Sequence, residues 1–235
     1  MNPPAIPMRT IALDRAVTGA GAPAAKSRCL AVLLPGRWDE PERFREAGFA
    51  RAVAERDLDV DLVAVDSHLG YFRDRSIVER LRLDVIAPAK ASGYDTIWIV
   101  GTSLGGLGGL LYLRDHPEDL SGVLALAPYL GESELIGEIE AAGGARKWTP
   151  PASYAATDIG RELWSWLTPW LAGPQSVPLH IGWGSQDKLG RSNRLVADAL
   201  PTAEVYNVAG GHDWKTWEEL WEAFLDRTPI CRRAR

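Results

Sequence analysis

The stretch Thr96-Ile97-Trp98-Ile99-Val100-Gly101-Thr102-Ser103-Leu104-Gly105-Gly106 decides how the chain is read. It begins as a short apolar run of the kind that forms a buried strand, and Leu104–Asp115 beyond it has the character of a helix. The junction is a Gly-x-Ser-x-Gly turn, residues 101–105. A serine at the tip of a sharp strand-to-helix turn occupies a strained backbone conformation that lifts its hydroxyl above the sheet. Side chains at the two glycines would collide across such a turn. The start of the helix also offers free N–H groups to a developing oxyanion. Gly106, Gly108 and Gly109 each cost a helix roughly 0.8–1 kcal/mol relative to alanine, so this helix is expected to pack very closely beneath the sheet. A phosphate-binding turn fits less well. Position 103 is serine where the dinucleotide fingerprint needs glycine, and no Gly-Lys-Ser/Thr follows. Ser103 is therefore the candidate nucleophile.

Outward from this turn, apolar runs bounded by breakers recur at Cys29–Leu34, Asp61–Val65, Gly122–Ala127, Pro178–Trp183 and Ala203–Val208, with a further first strand expected at 9–17 and a breaker-rich loop at 18–28. Helix-like segments lie between them at Pro41–Glu55, Ser76–Ser92 and Arg191–Leu200. A last helix is expected at Trp214–Asp226, where Trp217, Leu220, Trp221 and Phe224 share one face. Strand–helix alternation predicts an α/β domain, 1–235, with a mainly parallel sheet covered by helices on both faces. Ligands in such sheets bind outside the carboxyl ends of the strands. One segment interrupts the alternation. Residues 131–172 hold Pro150, Pro151, Pro169 and four tryptophans (Trp148, Trp164, Trp166 and Trp170), and an insertion of this length is expected to form a lid. Trp148, Trp164 and Trp170 are its candidate substrate contacts. Trp166 and Trp170, four apart, are placed to share a helix face.

Four histidines compete for the role of base. His116 sits at a helix end before Pro117, and His180 lies inside a strand run. His68 follows a strand in Asp66-Ser67-His68-Leu69-Gly70 and is a candidate for the rim of the site. His212 stands in Gly210-Gly211-His212-Asp213-Trp214, after the last strand. In α/β-hydrolases, whose serine turn has this pattern, the chain order is nucleophile, acid, histidine, and His212 alone fits it. The acid should follow the penultimate strand, where Gly184-Ser185-Gln186-Asp187 places Asp187. Such a carboxylate holds the imidazole tautomer and stabilises the imidazolium as the serine proton moves. Asp213 is the alternative beside the histidine, although it is better placed to cap the final helix. Glu132 and Glu134 are further alternatives. For the oxyanion hole, one donor is expected from the N–H of Leu104 and the second from the loop Pro35-Gly36-Arg37-Trp38-Asp39, with the Arg37 N–H chosen because Pro35 has none. The side chains of Arg37, Trp38 and Asp39 are then candidates for the pocket border.

The set Leu34-Pro35-Gly36, Gly101-Thr102-Ser103-Leu104-Gly105-Gly106, Gly184-Ser185-Gln186-Asp187 and Gly211-His212-Asp213-Trp214 resembles the α/β-hydrolase superfamily over nearly the whole chain. Gly210–Trp217 is similar to the histidine segment of the esterase-D-like and feruloyl-esterase group, although the N-terminal part is short for that group by one or two early strands. The resemblance implies carboxylic-ester hydrolysis through an acyl-serine intermediate, without a cofactor or metal. A thioesterase would use the same machinery, and so would an acyltransferase that excludes water. A binding module on this fold would be marked by a degenerate triad, and none of the three members is missing here.

Bulk properties argue against nucleic acid and membrane insertion, and the resemblance implies a small ester or thioester as the partner. A net charge of −5 and the lack of a basic stripe argue against nucleic acid. The apolar runs are too short to span a bilayer. The first residues, Met1–Pro7, lack the basic-then-apolar pattern of a signal peptide. Two cysteines, Cys29 and Cys231, in a chain of 235 residues point to unlinked thiols in a reducing compartment, so a cytoplasmic location is expected. The basic end Cys231-Arg232-Arg233-Ala234-Arg235 is expected to be a solvated terminus.

Overall fold

A computed structural model describes residues 7–13, 28–228, 230 and 231. Along the chain run β1 (Thr10–Leu13), β2 (Cys29–Leu34), α1 (Arg43–Glu46), α2 (Phe49–Glu55), β3 (Asp61–Val65), α3 (Leu69–Arg73) and α4 (Ile77–Leu81). A π-helical turn (Arg82–Ile86) leads into α5 (Ala87–Ala91), β4 (Thr96–Thr102), α6 (Leu104–Asp115), β5 (Gly122–Leu126), α7 (Ser133–Ala141) and α8 (Ile159–Ala172). The chain continues through β6 (Leu179–Gly184), α9 (Gly190–Ala197), β7 (Val205–Val208) and α10 (Trp214–Arg227). The strands form a sheet in the order β1-β3-β2-β4-β5-β6-β7, in which β1 is antiparallel to β3 and the other neighbours are parallel.

The apolar runs become the inner strands because each is buried on both faces. Every residue of β2, β5 and β6 is buried, as is all of β4 after Thr96. α10 buries Trp217, Leu220, Trp221 and Phe224, as its periodicity predicts. Its Phe224 ring packs 5.5 Å from Trp98 on β4 and 5.1 Å from His180 on β6. His180 is thus a core residue, and burial pushes its pKa down to about 4, which leaves the ring neutral.

One expected helix is broken: the 41–55 segment divides at Gly48, whose φ of 76° no helix accommodates, whereas 76–92 is helical from Ile77 to Ala91 with a π turn inside it. The expected strand at 9–17 is seen as Thr10–Leu13, and residues 14–27 and 232–235 lie outside the described residues. Among the described residues, no helix is long and apolar enough to cross a membrane.

The expectation of unlinked cysteines is corrected, because Cys29 and Cys231 form a disulfide across 202 residues. The argument for a reducing compartment rested on free thiols and falls with them. Cys29 opens β2, and the carbonyl of Cys231 accepts a 2.7 Å hydrogen bond from the Asp59 N–H just before β3. The bond therefore staples the end of the chain to the amino ends of two adjacent strands. Its 202-residue span made it invisible to local pattern. Closing so long a loop removes conformational freedom from the unfolded chain, and such bonds contribute about 2–5 kcal/mol. Reduction, or the pair Cys29→Ala and Cys231→Ala, should lower the unfolding free energy by that amount in urea titrations. An unchanged midpoint would show that the bond constrains nothing.

Candidate active site

The parallel strands end together, so the loops that leave β2, β4, β5, β6 and β7 gather at one rim. The turn after β4 holds Ser103, at φ 51° and ψ −111°. A non-glycine residue in this region costs of order 1–3 kcal/mol and persists only where its surroundings enforce it. Here they do. The Ser103 N–H donates to the Leu126 carbonyl at 2.9 Å, and its carbonyl accepts from the Tyr129 N–H at 2.9 Å. A Cβ on Gly101 would lie 2.2 Å from the Gly105 carbonyl oxygen, and one on Gly105 would lie 2.1 Å from the Leu34 carbonyl oxygen. The two glycines thus let strand, turn and helix close on one another. α6 also packs tightly against the sheet, since a Cβ on Gly109 would meet the Ile99 side chain at 3.0 Å.

The loop after β7 brings His212 to this serine. Its Nε2 lies 2.9 Å from Ser103 Oγ, while its Nδ1 lies 3.0 and 2.9 Å from the two carboxylate oxygens of Asp187. The Asp187 side chain is fully buried and the His212 side chain is 16% exposed. Asp187 Oδ1 also accepts the Leu189 N–H at 2.8 Å, which fixes the carboxylate within its own turn. The Trp217 ring meets the imidazole edge-on at 5.1 Å, so the ring is held from a second side. Asp213 is occupied elsewhere. Its Oδ1 accepts from the Thr216 N–H at 3.0 Å and caps α10, and that hydrogen bond holds its pKa below the usual carboxylate range. Glu132 accepts from the Tyr129 hydroxyl at 2.7 Å, and Glu134 lies in the first turn of α7. The structure brings only Asp187, of the candidate acids, to the imidazole.

The loop after β2 approaches from the opposite side. A Cβ on Gly36 would lie 3.4 Å from Ser103 Cβ, so the backbone at 36–37 runs beside the serine. Leu104 is the first residue of α6, where helix geometry leaves its N–H without an intrahelical acceptor. Asp39 ties this loop to the histidine loop, because its Oδ1 accepts from Trp214 Nε1 at 3.1 Å.

Ser103 opens into a cavity of about 710 Å³. Leu69, Phe72, Leu104, Leu107 and Ile159 supply its apolar wall, while Arg37, Arg73, Arg75, Tyr129, Glu132 and Thr157 bring polar groups. The segment 131–172 does border it, through Glu132, Ala156, Thr157 and Ile159, but not through its tryptophans. Trp164 is fully buried and donates to the Leu130 carbonyl at 2.7 Å. Trp148 is buried and donates to Glu138 at 2.9 Å. Trp170 packs beside Trp166 on α8 with ring centroids 5.5 Å apart, as their spacing predicts. Trp164 thus ties the segment to the end of β5, Trp148 braces α7 within it, and Trp170 packs against the core.

Trp38 and His68 are also placed elsewhere. Trp38 is 75% exposed, and the Arg37 guanidinium lies 4.8 Å from its ring centroid. His68 caps α3, with Nδ1 accepting the Gly70 N–H at 3.0 Å, and faces a neighbouring hollow together with Trp38 and Asp39. The cavity contacts from α3 escaped the sequence reading. Their signal is the spacing Leu69-x-x-Phe72-Arg73, which puts three side chains on one helical face.

By sequence, the chain matches no protein-family model and no curated protein. Its structure is similar to several solved ones. A ferulic acid esterase is 20% identical, with 87% of this chain and 86% of that one covered and a TM-score of 0.60. Est1E from Butyrivibrio proteoclasticus, bound to ferulic acid, is 16% identical over 94% and 95% of the two chains, with a TM-score of 0.61. The S-formylglutathione hydrolase FrmB from Staphylococcus aureus is 14% identical over 93% and 95%, with a TM-score of 0.60. With this sheet order, this serine turn and these neighbours, the chain has the α/β-hydrolase fold.

Proposed function

We propose that the chain is a serine hydrolase that cleaves carboxylic esters or thioesters through an acyl-serine intermediate. The observation that carries this reading is the unbroken hydrogen-bonded line Asp187–His212–Ser103, ending at a hydroxyl that opens into the cavity. The similar folds of a ferulic acid esterase and an S-formylglutathione hydrolase support the same class of chemistry.

Each group has a role that its position suits. As Ser103 Oγ attacks the substrate carbonyl, its proton passes to His212 Nε2. Asp187 holds the proton on Nδ1, so that Nε2 is the free acceptor, and then stabilises the imidazolium. The N–H groups of Leu104 and Arg37 receive the negative charge that develops on the carbonyl oxygen. Collapse of the tetrahedral intermediate breaks the bond to the leaving alcohol or thiol, which takes the proton back from His212. Water then repeats the sequence on the acyl-serine, releasing the acid and restoring the enzyme. Residues 131–172 act as the cap over this site, selecting substrate through Thr157 and Ile159.

Ser103→Ala and His212→Ala should each lower kcat/KM for p-nitrophenyl esters on the order of 10⁴-fold or more, and the double variant should be little worse than either alone. Asp187→Asn should approach the same loss, whereas Asp213→Asn should cost far less. Steady-state kinetics on the four variants checks the assignment, and the reverse ranking of the two aspartates would exchange the acid.

The apolar wall makes a second prediction. Each methylene buried there should contribute up to about 0.8 kcal/mol until the space is filled, so kcat/KM should rise from acetate to a short or medium acyl chain and then fall. Leu107→Trp should shorten the optimum and Trp170→Ala should leave it in place. A flat profile, or an optimum that follows Trp170, would move specificity away from this wall.

A further inference from the structure

The charged groups around the Ser103 cavity are unequally matched. Three guanidiniums line it, from Arg37, Arg73 and Arg75, and one carboxylate, from Glu132. Arg75 is already committed, because it pairs with Glu162 and donates to the Ala156 carbonyl at 2.8 Å. Among the described residues, neither Arg37 nor Arg73 forms a salt bridge. Most other arginines of this acidic chain do, including Arg9, Arg43, Arg56, Arg80, Arg114 and Arg161. Glu132 accepts the Tyr129 hydroxyl and, among the described residues, forms no salt bridge with either arginine.

Arg37 lies over the exposed Trp38 ring and Arg73 also borders the hollow of Asp39, Glu40 and Asp66, yet both edge the Ser103 cavity without an ion-pair partner among the described residues. Arg73 lies on α3 one turn from Leu69 and beside Phe72, both of which wall the cavity, so one helical face presents two apolar side chains and a guanidinium to the same space. Arg37 belongs to the loop after β2 that passes Ser103, next to the β3 end from which α3 leaves, and it edges the same cavity. A guanidinium offers a planar set of donors that suits a carboxylate or phosphate, and a partly enclosed cleft strengthens the attraction.

We propose that the substrate is an ester or thioester that carries an anionic group, a carboxylate or phosphate, which Arg73 and Arg37 bind while the apolar wall holds the carbon chain. This rests on the hydrolase reading above and adds the substrate's charge to it.

Matched ester pairs test the idea on the full chain. Mono-p-nitrophenyl glutarate against p-nitrophenyl valerate puts the charge on the acyl side. Then 4-carboxyphenyl butyrate against phenyl butyrate puts it on the leaving group. With kcat/KM divided by the alkaline hydrolysis rate of each ester, the anionic member of at least one pair should be preferred about tenfold at low ionic strength, the scale of one charge-assisted hydrogen bond. Added salt should shrink the preference. Arg73→Gln should reduce it and Arg73→Glu should invert it. Arg73 is exposed, so neither variant threatens the fold. Equal handling of both pairs, unmoved by salt or by Arg73→Glu while hydrolysis still depends on Ser103, would overturn the inference and leave the hydrolase reading standing. No hydrolysis of any of the four esters by the wild type would overturn both.

Discussion

Three backbone segments meet around Ser103 at distances that no side chain would permit. The end of β2 touches the helix start at Gly105, and the end of β4 touches the same helix at Gly101. Because neither glycine has a Cβ, α6 can begin in direct contact with the strand ends. This closeness forces Ser103 to its positive φ, and hydrogen bonds to Leu126 and Tyr129 hold it there. The strain sits in one residue, while the strands and helix on either side are deeply buried and lock it. Hydroxyl position, the Leu104 N–H and the approach of the Gly36 loop all follow from that one contact.

The rest of the site is an outcome of strand order. β5 and β6 lie on one side of β4 with β7 beyond them, and β2 lies on the other. Their carboxyl ends deliver Asp187 and His212 from one side and the Gly36–Arg37 loop from the other. Each delivery is braced separately. Asp187 is held by its own turn, His212 by Asp187 and Trp217, and the Gly36 loop by the bond between Asp39 and Trp214. Bracing of this kind lets a buried carboxylate and a mostly buried imidazole keep one geometry.

Much of this was legible in the residues. Buried parallel strands read as uninterrupted apolar runs, so Cys29–Leu34 and Asp61–Val65 emerge with the predicted bounds, and Leu104–Asp115 is a helix as expected. The grouping of Ser103, Asp187 and His212 was suggested by the nucleophile–acid–histidine chain order of the fold that the sequence resembles, with each residue in a loop after a strand. What escaped lies where local pattern carries no information. A tryptophan that packs an insertion and one that lines a pocket have the same sequence appearance, and only the burial and donor bonds of Trp148 and Trp164 show that these two pack the segment. Arg73 and Arg75 look like ordinary solvated charges until the fold sets them on a cavity wall. The Cys29–Cys231 bond joins residues 202 positions apart, where spacing rules for local motifs have no reach.

The central claim is that Ser103 is a nucleophile activated by His212. It is tested most directly by treating the folded protein with a fluorophosphonate and locating the adduct by peptide mass spectrometry. The account predicts a single phosphonylated residue, Ser103, modified in the native protein and left unmodified once the protein is unfolded before treatment. An adduct at a different serine, or none on the native protein, would contradict it.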